Sequence, residues 1–197
     1  RQERRLHLGR DRLGERPLYY GLMGGTLLFG SELKALEAHP AWRGEIDRDV
    51  LPLLLRYDYI PTPFSIYRGI RKLTPGTLLT FDRPDSTAGP VPYWSAREAM
   101  EKGAREVFGG DLVAAQDRLD ELLRGTIRDQ MVADVPVGAL LSGGIDSSMI
   151  VALMQRESSR PVKTFTIGFH ETSGEVNEAP FAKDVAKHLG TEHTELY

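Results

Sequence analysis

The stretch Val137-Gly138-Ala139-Leu140-Leu141-Ser142-Gly143-Gly144-Ile145-Asp146-Ser147-Ser148 decides how this chain reads. Val137 to Leu141 is a short apolar run that predicts a buried strand, and Asp146 to Arg156, with Ile150, Leu153 and Met154 turned inward, predicts a helix. Between them, two adjacent glycines remove the side chains that would keep the backbone away from an anion. Successive N–H groups can then face phosphate oxygens at the positive end of the helix. Ser142, Ser147 and Ser148 add hydroxyl donors. Asp146 is a poor phosphate neighbour by charge alone, and a magnesium ion bridging it to a nucleotide accounts for its position. The lysine of the G-x-x-x-x-G-K-[ST] phosphate loop is absent. Ser-Gly-Gly also occurs in ordinary flexible loops, but the strand before it and the apolar helix after it favour a nucleotide pyrophosphate site.

Working outward, the second part of the chain alternates helix and strand. Leu112 to Ala133 carries Leu112, Ala115, Leu119, Leu122, Leu123, Ile127 and Met131 on one face and ends before Pro136. After the helix from Asp146 come a strand, Val162 to Ile167, a helix, Glu178 to Leu189, a Gly190 stop and a strand from His193. Strands separated by such helices imply a parallel sheet with right-handed crossovers. The Ser142 loop then sits at a strand's carboxyl end, where open α/β sheets bind ligands. Asn177 is expected to cap the helix from Glu178, and Glu175 and Glu178 fall near the nucleotide side.

The first part is rich in strand and turn signals. Runs at Arg4–Leu8, Pro17–Gly21 and Thr26–Gly30 predict strands, the last two joined as a hairpin across Gly24-Gly25. Ser31 is expected to cap a short helix, Glu32 to Glu37, and Asp47 a second, Arg48 to Tyr57, with Val50, Leu51, Leu54 and Leu55 as its apolar stripe. Ser65–Tyr67 and Thr77–Phe81 are expected to pair across the Thr74-Pro75-Gly76 turn. Asp82 to Pro90 has the charge, proline and glycine of an exposed linker. We therefore expect one domain over 1–82, a linker over 83–92 and a second domain over 93–197.

With 197 residues, 41% hydrophobic content and a net charge of -3, the composition is that of an ordinary globular protein and suggests neither a nucleic-acid nor a membrane surface. There is no cysteine, which excludes disulfides, Cys-ligated zinc and a cysteine nucleophile within these residues. No apolar run approaches the roughly 20 residues that span a bilayer, and no signal peptide is visible. His7, His39, His170, His188 and His193 have no metal-ligand spacing, though His188 suits the negative end of its helix. Arg10-Asp11 reads as a structural ion pair, Glu32 and Lys34 as helix-positioning groups, Tyr19-Tyr20 and Tyr93-Trp94 as packing, and Arg97 to Glu106 as a solvated face. Arg1 is not an initiator methionine and both ends read as strand, so a piece of a longer chain is expected.

S-G-G-x-D-S resembles the loop of the ATP pyrophosphatases, which split ATP between the α and β phosphates and pass AMP to an oxygen acceptor. The flanks narrow this. Gly9-Arg10-Asp11-Arg12-Leu13-Gly14-Glu15-Arg16-Pro17-Leu18-Tyr19-Tyr20, Ser31 to Leu36, Tyr59-Ile60-Pro61, Ser65 to Ile70, Pro75-Gly76, Tyr93-Trp94 and Asp134 to Gly138 resemble the glutamine-hydrolysing asparagine synthetases. The resemblance implies an α/β plus α+β fold: the carboxyl-terminal part of an αββα amino-terminal-nucleophile glutaminase, then the first half of a doubly wound parallel-sheet ATP pyrophosphatase domain. It implies ATP and Mg2+, with aspartate and glutamine as further small-molecule substrates, in a cytoplasmic enzyme that allows a homodimer.

Carried over residue by residue, Ser142, Gly143, Gly144, Asp146, Ser147 and Ser148 match the pyrophosphate loop, with Asp146 the magnesium ligand and catalytic residue. Leu141 and Ile167 match positions of the nucleotide pocket. The family's cysteine nucleophile would lie upstream of Arg1, and part of its aspartate site beyond Tyr197. These residues alone are therefore expected to be inactive. A β-lactam synthetase-like adenylating enzyme without glutaminase activity and a non-catalytic nucleotide-binding homologue remain open as alternatives.

Overall fold

A computed structural model describes residues 4–85, 88–169 and 177–197. Ser86 and Thr87 of the expected linker, His170 and Glu175 lie outside the described residues. The chain divides into two units, Arg1–Val107 and Phe108–Tyr197.

In the first unit the order is β1 (Leu6–Gly9), β2 (Tyr19–Met23), β3 (Thr26–Gly30), α1 (Leu33–Glu37), a 3-10 turn at Arg48–Val50, α2 (Leu51–Tyr57), β4 (Ile70–Lys72), β5 (Thr77–Phe81), β6 (Val91–Pro92) and α3 (Ala96–Arg105). Among the described residues these strands make two antiparallel sheets, β1-β5-β6 and β3-β2-β4. The β2–β3 hairpin forms as expected, because Gly24 and Gly25 both take positive φ (57° and 77°), the conformation a two-residue hairpin turn demands. Leu8, Leu73, Leu79 and Phe81 make one core with Tyr20 and Leu27, so the two sheets face each other there. On the far side of β2, Met23, Leu28 and Ile70 pack against Leu36 of α1 and against Trp42. The layering is helix on sheet on sheet.

Three local expectations give way. The strand after the Tyr67 region is Ile70–Lys72, and it pairs with β2 instead of β5, while Tyr67 makes only an isolated bridge to Ile46. The reason lies in β5, whose alternating buried Thr77, Leu79 and Phe81 commit it to the β1 sheet. Glu32, not Ser31, occupies the cap position of α1 and gives no side-chain cap. Asp47 caps a 3-10 turn that precedes a shorter α-helix, and of the expected stripe only Val50 is buried, with Leu55 84% exposed.

Arg10 and Asp11 also behave differently from an ion pair. The Arg10 guanidinium donates to the carbonyls of Arg16 (3.0 Å), Leu73 (2.7 Å) and Gly14 (2.9 Å). The Asp11 carboxylate accepts from the backbone N–H of Leu13, Glu15 and Arg16. Hydrogen bonds from Glu15 first and Arg16 next hold that carboxyl below its ordinary range. Each charge serves the backbone of the 10–16 loop. Tyr93 ties in by donating its hydroxyl to the Arg10 carbonyl at 2.7 Å.

Gly21 sits mid-strand in β2 because nothing larger fits. A Cβ there would lie 2.1 Å from the Gly69 carbonyl oxygen. Gly21→Ala is expected to cost the first unit about 3 kcal/mol, read as a lower denaturant midpoint at constant slope; an unchanged midpoint would refute the packing argument.

The second unit runs α4 (Leu112–Gln130), β7 (Gly138–Leu140), α5 (Ile145–Glu157), β8 (Lys163–Ile167), α6 (Ala179–Leu189) and β9 (Glu192–Leu196). The strands form one parallel sheet, β7-β8-β9. Asp111 caps α4 by accepting from Ala114 N–H at 2.9 Å, and Gly190 ends α6 at φ 71°. Ile127 of α4 packs with Leu153, Met154 and Val162, and Leu141 and Val151 pack with Ala182 and Ala186 of α6. In α5 the inward residue is Val151, wholly buried, where Ile150 was expected; Ile150 lies 36% exposed. Only the carboxyl-terminal half of the α4 stripe is used, leaving Leu112, Leu119 and Leu122 exposed. One sheet face carries Thr164, Thr166 and His193 under the helices, and the other presents Leu140, Ile167 and Leu196 to solvent. No helix among the described residues is long and apolar enough to cross a membrane.

α4 and α5 are also clamped by charge. Glu157, its side chain largely shielded, pairs with Arg124 and with Arg128 (3.6 Å), while Arg156 reaches Asp120 at 3.3 Å. The hydrogen bond from Arg124 holds the Glu157 carboxyl below its ordinary value of 4.5. A carboxylate with a depressed folded-state pKa contributes stability that is full above its unfolded value and lost as pH falls through the folded one. Glu157→Gln is therefore expected to flatten the loss of thermal midpoint between about pH 5 and pH 3; an unaltered acid profile would show that the clamp contributes nothing.

Candidate functional site

The loop after β7 is held from below before any ligand is considered. Leu141, 2% exposed, donates its N–H to the Phe165 carbonyl at 2.9 Å, and the Thr166 hydroxyl donates to the Leu141 carbonyl. The chain leaves the strand from a fixed point. Gly143 takes φ 81°, and a Cβ on it would lie 2.7 Å from Phe181 Cβ and 2.8 Å from Ala182 N. The loop backbone therefore presses directly on the first turn of α6. Gly144, extended at φ -70° and ψ 163°, is the cap of α5, and its carbonyl accepts the first helical bond from Ser148 N–H at 3.0 Å. The N–H groups of Ile145, Asp146 and Ser147 precede that bond and have no intrahelical acceptor.

Within the loop the hydroxyls close on one another. Ser142 Oγ and Ser147 Oγ are 2.9 Å apart; Ser147 Oγ accepts from Ser142 N–H (3.3 Å) and donates to the Gly144 carbonyl (3.2 Å). Ser142 Oγ accepts from Gly144 N–H at 3.4 Å. These are long bonds to weak partners, which an anion can displace. The Ser148 hydroxyl is buried with no partner among the described residues. A cradle that a Cβ would fill, free amides at a helix start and an orphaned hydroxyl fit a phosphate group bound at this loop. Asp146 lies exposed in the first turn of α5. A single carboxylate suits magnesium, which takes one or two protein carboxylates and completes its shell with phosphates and water. No group of three or more His, Asp or Glu side chains among the described residues could hold a metal by itself.

A cleft of about 340 Å³ opens beside the loop, lined by Leu140, Leu141, Ser142, Ser147, Phe165, Thr166, Ile167 and Glu178. Its lining combines hydroxyls with apolar side chains, as a nucleotide requires. Of the expected residues, Leu141, Ser142, Ser147 and Ile167 line it together; Gly143, Gly144, Asp146 and Ser148 belong to the adjoining loop and helix start. Clefts of about 480 Å³ around Arg4 and Phe81 and about 580 Å³ around Met131 and Val162 are larger, but neither contains the glycine loop.

Comparison with known proteins accounts for both units. The family model described as "Asparagine synthase" matches residues 118–197, and "Glutamine amidotransferase domain" matches residues 1–94. The chain belongs to the glutamine-hydrolysing asparagine synthetase family. It is 32% identical over 191 residues to a putative glutamine-hydrolysing asparagine synthetase 2 of Methanocaldococcus jannaschii, covering 95% of this chain and 35% of that protein. Glutamine-hydrolysing asparagine synthetases 3 and 1 of Bacillus subtilis are 30% and 33% identical, each over 95% of this chain and over 31% and 28% of their own lengths. The chain thus spans about a third of the curated relatives it matches.

Sequence reasoning did not single out Leu140, Phe165 and Thr166, which also line the cleft; parallel pairing of β7 with β8 sets Leu140 beside Phe165. Glu178, expected only to lie nearby, is in the cleft itself.

Proposed function

We propose that the protein is an ATP-dependent amide ligase that makes asparagine from aspartate, ATP and glutamine-derived ammonia. A β-carboxylate oxygen of aspartate attacks the α-phosphorus of ATP and pyrophosphate leaves; ammonia then attacks the acyl carbon of β-aspartyl-AMP and AMP leaves. The observation that carries this reading is the Ser142–Ser148 loop, pressed on α6 through Gly143 and opening on a cleft sized for a nucleotide. Its amides and hydroxyls are suited to bind the departing pyrophosphate, and Leu141 and Ile167 to seat the base. Asp146 would hold Mg2+, which when bound neutralises charge on the phosphates. Membership of the family supports the acceptor and the ammonia source.

On this reading, residues 1–82 are the carboxyl-terminal part of an αββα amino-terminal-nucleophile glutaminase, 83–92 a linker, and 93–197 the front of a doubly wound ATP pyrophosphatase domain. The helix-on-sheet-on-sheet layering of the first unit and the parallel sheet of the second support two domains; within 83–92, however, β6 pairs with β5, and the first unit runs to Val107, later than the boundary read from the sequence. A cytoplasmic location goes with this biosynthetic role, and a homodimer is compatible with it. The test is pyrophosphate release by the full-length protein with ATP and Mg2+. Release that requires aspartate and yields asparagine supports the reading; release that ignores aspartate overturns it.

A further inference from the structure

Among the described residues lining the 340 Å³ cleft, Glu178 is the one acidic side chain. Its position at the cap of α6 would ordinarily explain it, since an acidic residue there can accept from a helix N–H. It does not do so. Its side chain makes no cap bond, and Asn177 takes the task, its Oδ1 accepting from Ala179 N–H at 3.2 Å and from Phe169 N–H at 3.4 Å. Among the described residues the Glu178 carboxylate has no hydrogen-bond or ion-pair partner, and only its backbone carbonyl is engaged, by Ala182 N–H at 3.1 Å.

Glu178 is exposed, so water can solvate it until a nucleotide enters, and a bound polyanion would then have to present a cation or a neutral donor to it. Asp146 is not among the residues lining this cleft, and among the described residues the two acids belong to no group of three or more metal-ligating side chains. Position along the cleft decides what Glu178 meets. The turn of α6 that follows it touches Gly143, so Glu178 stands beside the glycine loop, and Leu140, Phe165 and Ile167 supply the apolar part of the same lining. The part of a nucleotide between phosphates and base is the ribose, whose 2′ and 3′ hydroxyls are donors that a carboxylate accepts from.

Resting on the nucleotide reading above, we propose that Glu178 accepts hydrogen bonds from the ribose hydroxyls of ATP and selects ribonucleotides over deoxynucleotides. Calorimetric titration of the full-length protein with ATP, 2′-deoxy-ATP and 3′-deoxy-ATP, each with and without Mg2+, tests it. Wild type is expected to bind at least one deoxy analogue about tenfold more weakly than ATP. Glu178→Ala should lose a similar factor for ATP and bind all three nucleotides alike; Glu178→Gln, which keeps an acceptor oxygen, should retain part of the discrimination. If wild type binds ATP and Glu178→Ala discriminates as wild type does, the ribose assignment falls and the nucleotide reading stands. A loss that appears only with Mg2+ and is equal for all three nucleotides would assign the carboxylate to the metal instead. No ATP binding by wild type would overturn both.

Discussion

Asp146→Ala is expected to suppress aspartate-dependent pyrophosphate release by about 10²–10³-fold while glutamine hydrolysis and the unfolding midpoint stay at their wild-type values. The separation of effects follows from where Asp146 stands. It is exposed in the first turn of α5 and makes no ion pair among the described residues, so its removal uncovers no buried charge. It also sits where the free amides of Ile145 to Ser147 converge, at the positive end of the helix. An acid there lowers the affinity for phosphate unless it recruits a cation. The sign of the result is therefore informative. If Asp146 acted only by repulsion, alanine would raise nucleotide affinity and preserve turnover, and adenylation at near wild-type rate would refute its role as the magnesium ligand. Asparagine should behave as an intermediate case, since it keeps one oxygen ligand without the charge.

Gly143→Ala is expected to be nearly as damaging by a different route. An L-residue at φ 81° carries strain of about 1–2 kcal/mol, and the new methyl group would stand 2.7–2.8 Å from the backbone and Cβ of α6 at Phe181 and Ala182. Backbone cannot step aside as a flexible side chain can. Either the loop lifts from α6 or α6 shifts, and each movement disturbs the amides at the start of α5 and the neighbouring Glu178. Pyrophosphate release should fall by about 10²-fold, with the thermal midpoint falling as well. Gly144→Ala provides the control. A Cβ there would meet only Ser142 Oγ at 3.4 Å, and the extended backbone suits any residue, so the fold should be kept. Equal midpoint losses for the two variants would sink the steric account.

The second unit was largely legible because its signals are local and repeated. The glycine pair, the strand before it, the helix after it and the Gly190 stop each carry their own conformational cause, and parallel topology follows from the helix lengths between strands. The hairpin across Gly24-Gly25 was legible for the same reason. Pairing between distant segments was not. Nothing near Thr77–Phe81 says that its partner is Leu6–Gly9, 73 residues earlier by the register His7 to Thr80, instead of the segment just before it. Periodicity also overstated burial: Leu112, Leu119 and Leu122 complete a helical stripe that nothing among the described residues covers. At the candidate site, the glycines and serines of the loop stood out by their chemistry, and the fold groups them at the start of α5. The cleft wall at Leu140, Phe165 and Thr166 depends on which strand lies beside β7, and Glu178 acquires meaning only once Asn177 is seen to take the cap.

The mutual closure of Ser142 and Ser147 bears on turnover. Two of the amides that could face pyrophosphate, those of Ser142 and Gly144, rest on serine oxygens of the loop itself. Anion binding is then an exchange of bonds, and its heat should be small. On the proposed function the same exchange would run backwards at product release: the loop would recover its own partners, so that departure of pyrophosphate would leave neither amide without an acceptor.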